Sequence, residues 1–224
     1  MPPFETTTLL GACPPRRRPA EESIVLAARR TIAAHALGGA AFGCLVQLGD
    51  DGPALVAWTA NIAGPWLCVA FVVGVVAPDR PSAARRASVF LVAGVVAKYA
   101  LQLGEHRIAT ADALPRVLAW GAAALVVAAT FAPAGRRARD GGHWPLLFLA
   151  ASLELEATAF LFGGLRGPSA ALRYHRQVPA IAVFVGELAV ALACALEAWS
   201  RVSDAAHRSA IRPRNANRHL ERRK

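Results

Sequence analysis

Nothing in this sequence pairs its cysteines. Cys13, Cys44, Cys68 and Cys194 form no CxxC and share no regular spacing, so a disulfide framework is not supported. Three of the four lie in apolar stretches, where cysteine packs as a small hydrophobe. HExxH, GxSxG, a Walker loop and a histidine pair at metal spacing are also missing, which removes the common signatures of zinc, serine-nucleophile and nucleotide chemistry. His35 is the one histidine inside an apolar block. His106, His143 and His175 fall in connectors on opposite sides of the predicted topology. No cofactor, no metal and no enzymatic activity are therefore expected.

Two further absences bear on targeting and fold. Residues 1–24 are polar, and Arg16, Arg17 and Arg18 run into Pro19, Ala20, Glu21 and Glu22. They lack the short apolar core and small-residue cleavage site of a secretory signal, so the first apolar block is expected to serve as its own targeting signal. The ten-residue alternation of a membrane β-barrel is absent too, because alanine and leucine fill the apolar blocks.

What the 224 residues do contain is apolar sequence and positive charge held apart. The chain is 55% hydrophobic, yet carries a formal net charge of +10. A water-soluble helix keeps one wet face and alternates the two every few residues. Here the apolar blocks run at roughly 30–48, 54–77, 87–104, 117–134, 144–165 and 178–199, and about 20 residues span a hydrocarbon core. The predicted fold is all-α: a polytopic membrane bundle of six transmembrane helices within residues 25–200. Residues 1–24 form a disordered cytoplasmic tail and 201–224 a basic cytoplasmic tail. Gly49-Asp50-Asp51-Gly52-Pro53, Pro78-Asp79-Arg80-Pro81, 135–142 and Arg166-Gly167-Pro168 separate the blocks with breakers and charge.

Basic residues orient the bundle. Five precede the first block, three lie in 78–86, three in 135–143 and eight after residue 200. Two lie in 105–116, three in 166–177 and none in 49–53. The positive-inside rule then places both termini in the cytoplasm, in the cell (inner or plasma) membrane. The C-terminal tail is expected to meet anionic lipid headgroups at the bilayer surface. It lacks interleaved aromatics and any recognition motif, so no nucleic acid is expected. Nucleotide-driven transport would need a partner subunit, and the sequence leaves that and a homo-oligomer open.

Ionisable groups in mid-membrane cost roughly 2.5–3.5 kcal/mol each and usually face a bundle interior. Lys98, Glu154, Glu156 and Glu187 are such groups, with Asn61 and His35 as further polar members. Counting residues puts Glu154 and Glu187 near the middle of their blocks, and Lys98 about 4 Å toward the outer face. Glu154 and Glu156 diverge by about 200° around a helix, so only one can point squarely at Glu187. Lys98 is expected to pair with Glu187 or with a carboxylate of the fifth block. Alternatively, two carboxylates share a proton, because like charges held close cannot both persist. Gly64-Pro65, read as the middle of a helix, predicts a kink that frees the Asn61 carbonyl as a ligand.

Asn61 through Trp66, Ala70-Phe71, Gly74 and Arg80, then Tyr99 and Gly186-Glu187, resemble a family of small actinobacterial six-helix membrane proteins, a domain of unknown function. The resemblance covers roughly 40–200 and implies no substrate, activity or cofactor. The functional expectation is thus a multi-pass membrane protein of binding, assembly or regulatory role. The alternative is a small, proton-coupled carrier or channel using Glu154, Glu156, Glu187, Lys98 and Asn61. An intramembrane enzyme is the third class.

Overall fold

The computed structural model describes residues 19–50, 52, 62–163 and 178–221. The described residues form six helices and no strand: α1 Pro19–Asp50, α2 Gly64–Val76, α3 Arg80–Gly104, α4 Thr110–Arg139, α5 Trp144–Gly163 and α6 Val178–Glu221. Three are long and apolar enough to cross a bilayer: Leu26–Asp50 of α1, α3 and α4. Their outward faces carry Leu37, Leu118 and Val126, each more than three-fifths exposed. Bare apolar surface on that scale suits lipid rather than water.

Helix boundaries follow backbone chemistry more than hydropathy. Asp79 opens α3 by accepting from the Ser82 amide at 2.7 Å and the Ser82 hydroxyl at 3.0 Å, and a proline follows in the first turn. That arrangement satisfies an end donor while starting the helix at the charged Arg80. At the other end of α4, Gly141 adopts φ 93° beyond the last turn, a left-handed position where glycine carries no Cβ penalty. Arg136 donates to the Ala77 carbonyl at 2.7 Å and Arg139 to the Val75 carbonyl at 3.3 Å. These cations meet the carbonyl end of α2, where the helix dipole favours them.

Two close helix contacts organise the bundle. α1 and α3 run parallel with Gly39 against the Phe90 carbonyl and Gly43 against the Gly94 carbonyl. A β-carbon at either glycine would collide with backbone, so the Gly39-Ala40-Ala41-Phe42-Gly43 spacing is what admits α3. α2 and α4 run antiparallel, Gly74 against the Ala132 carbonyl and Gly135 against that of Phe71. α3 also packs on α4, and α5 on α6. Phe131 of α4 and Phe148 of α5 stack at 5.0 Å between centroids and join the two groups. Small-residue contact is how helices associate where the solvent is itself apolar.

The structure departs from the sequence reading in α1, α2 and α6: α1 is helical from Pro19, inside the expected disordered tail, and on through Asp50, where a turn is expected. The described α2 has 13 residues, about 20 Å of helix. Gly64-Pro65 stands in its first turn, not at its centre. Proline suits that position, since an amide there has no intrahelical acceptor. The remainder of the predicted 54–77 helix before Ile62 lies outside the described residues. α6 continues as helix to Glu221, so residues 201–221, expected as a basic tail beyond the last crossing, are helical. Hydropathy registers only the part of a helix that suits lipid, and the arginines beyond residue 200 are compatible with helix in propensity.

Candidate functional site

Lys98 does not meet the glutamates. Its Nζ lies 3.2 Å from Asp50 Oδ2 at the end of α1, with side chains 13% and 16% exposed. The expected pairing with Glu187 or a helix 5 carboxylate is therefore corrected. α1 continues as helix through Gly49-Asp50, where the sequence reading places a turn, and its parallel packing on α3 carries Asp50 to the level of Lys98. Beside this pair, Gln102 donates to Gln47 at 2.8 Å, and Gln47 is 1% exposed. His35 lies apart, with Nδ1 2.7 Å from the Thr31 carbonyl of its own helix.

Glu156 and Glu187 come together where α5 and α6 meet the start of α2. The Ala63 amide donates to Glu156 Oε1 at 2.5 Å, and the Gly64 amide is also directed at this carboxyl. A carboxylate at the amide end of a helix is held by both hydrogen bonding and the dipole. Glu187 is 8% exposed. Its Oε1 is within clashing distance of where a β-carbon on Gly64 would lie, and Glu156 Oε2 is 3.4 Å from that same point. Glycine is thus the residue that leaves room for the pair.

The two carboxyls are neighbours close enough to share a hydrogen bond. Glu156 Oε2 and both oxygens of Glu187 find no donor among the described residues. Two acceptors facing each other without a donor are satisfied by one proton between them or by a small cation. Cys68 of α2 lies within electrostatic range of both glutamates, and it is a free thiol. Glu154 is exposed on another face of α5. The divergence of the two carboxylates around the helix separates them in this way. Asn61 lies outside the described residues, and with it the proposed carbonyl ligand.

On the other side of the same turn is a cavity of about 210 Å³. Ile62, Ala63 and Trp66 contribute from α2 and the bend before it. Leu91, Val95, Lys98 and Tyr99 contribute from α3, and Trp120, Ala124 and Val127 from α4. The sequence gives no sign of this cavity. A period-3.6 stripe shared by α3 and α4 is indistinguishable from core packing until the space between the helices is known. Among the described residues no group of three or more histidine, cysteine, aspartate or glutamate side chains is arranged to hold a metal ion.

No protein-family model, curated protein or solved structure matches the chain.

Proposed function

We propose that the protein is a small multi-pass carrier of the cell membrane that takes up and releases protons at the Glu156–Glu187 pair. The observation that carries this reading is Glu187, more than nine-tenths buried with neither carboxylate oxygen offered a donor by the described residues. A structural ion-pair network would have used Lys98 to neutralise it, and Lys98 is engaged by Asp50. Ionisable groups are costly in hydrocarbon and are retained where protons or ions move. Six crossings with both ends in the cytoplasm complete the proposal, supported by the three long apolar helices and the asymmetry of the arginines. The basic C-terminal segment then lies by anionic headgroups.

A second reading, assembly or regulation, has one observation in its favour. The Ala63–Glu156 hydrogen bond ties α5 to the start of α2, as a purely architectural carboxylate would.

The two separate in proteoliposomes of full-length protein carrying an internal pH dye. Under an imposed membrane potential, the carrier reading expects acidification with the native chain and its loss in Glu187→Gln. Equal acidification in both, or none in either, contradicts the carrier and leaves the architectural role.

A further inference from the structure

The segment Ala63-Gly64-Pro65-Trp66 has two faces in use. Its Ala63 amide holds Glu156, while Ala63 and Trp66 form a wall of the 210 Å³ cavity. The cavity and the carboxylate pair are therefore separated by one turn of backbone.

The cavity wall is mostly aliphatic and aromatic, with Trp66, Tyr99 and Trp120 around it. An apolar cavity of about 150 Å³ is large enough for benzene, so this one, open on the side of Trp120, accommodates a single ring with a short substituent. Among the described residues its one charged lining group is Lys98, which pairs with Asp50. The glutamates lie behind Ala63 rather than on the wall. Among the described residues no carboxylate lines the cavity and Lys98 is already paired, so a full charge would be buried there without a counter-ion, which is unfavourable.

We infer that this cavity binds an uncharged single-ring aromatic molecule, and that its occupancy is linked to protons on the Glu156–Glu187 pair through the Ala63–Trp66 turn. The sign follows from the hydrogen bond. Amides donated to a carboxylate stabilise its charged form. A ligand packed against Ala63 and Trp66 holds those amides in place, favours ionised Glu156 and expels a proton. Reciprocity requires that protons weaken ligand binding by the same factor. The groups facing this region are Glu156 from α5, Glu187 from α6 and Cys68 from α2. On the cavity side they are Lys98 and Tyr99 from α3, Asp50 from α1 and the exposed Arg116 from α4, which acts on Tyr99. The coupling rests on the proton-exchange reading above, whereas binding itself does not.

The probe is 4-fluorobenzyl alcohol, which is uncharged and does not titrate near neutrality. Fluorine NMR follows its binding to full-length protein in detergent, and a dye in weakly buffered solution follows proton release. Saturable binding is expected, lost in Ala124→Phe, which fills the cavity, and weakened in Trp120→Ala, whose side chain is 56% exposed and so removable without emptying a core. Glu187→Gln should keep binding but release no proton. A signal unchanged by both cavity variants is partition into the micelle and overturns the site. Tighter binding of phenyltrimethylammonium or benzoate overturns the uncharged class. Binding without proton release overturns the coupling. Failure of Glu187-dependent proton flux, with binding retained, overturns the carrier reading alone.

Discussion

Lys98 and Asp50 form an ion pair at 3.2 Å between parallel helices, and each side chain is more than four-fifths buried. The pair locks the end of α1 to α3, and it withdraws the one lysine of the apolar blocks from the glutamates.

Removing one partner of a buried pair strands the other charge, which costs about 3–5 kcal/mol, whereas replacing both with well-packed apolar residues is close to neutral. Lys98→Met and Asp50→Leu should each lower the unfolding temperature in detergent sharply, and the double variant should recover most of the loss. Additive losses would show that the two residues do not interact.

Two glycines should respond oppositely to one methyl group. In Gly43→Ala the new carbon meets the Gly94 carbonyl. Backbone cannot swing aside, so a loss of about 1–3 kcal/mol is expected as α1 and α3 separate. In Gly64→Ala the obstacle is the carboxylate end of Glu187, a flexible group that can rotate away. Thermal stability should then change little while proton flux is impaired. Equal destabilisation of both variants would mean that Gly64 is only a packing residue.

The start of α3 supplies a pH test outside the apolar segments. The Ser82 amide, aided by its hydroxyl, holds the Asp79 carboxyl below the ordinary carboxylate range. A group whose folded value is depressed stabilises fully above its unfolded value and loses that contribution as pH falls through the folded one. Acid should therefore fray α3 from its N-terminus, and Asp79→Asn, which keeps an acceptor, should flatten the acid limb. Amide hydrogen exchange at the first turn of α3 reports this. An acid limb identical in the two proteins would contradict it.

The apolar blocks marked most of the helical sequence, and Trp144 begins a helix at the residue where its block begins. They did not reveal where helices end, because Arg80, Arg136 and Asp50 are helical without being apolar. That gap explains the misplaced lysine. With Asp50 assigned to a turn, Lys98 had no nearer acid than the glutamates. The carboxylates themselves were visible as charges in apolar sequence. The amide of Ala63 that holds Glu156 was not, since a backbone donor leaves no mark in residue type, and Pro65 read equally well as a kink or a first turn. The small-residue spacing of Gly39 and Gly43 is a signal of close helix contact that residue type alone carries.

Proton uptake and release at this site require an exchangeable proton on the Glu156–Glu187 pair. Infrared difference spectroscopy of the full-length protein between acid and alkaline pH reads this directly, through the carbonyl stretch of a protonated carboxyl group in an apolar setting. A band that disappears on alkalinisation and is missing from Glu187→Gln is the predicted result. A band absent at every pH, or one unchanged by Glu187→Gln, would contradict the claim.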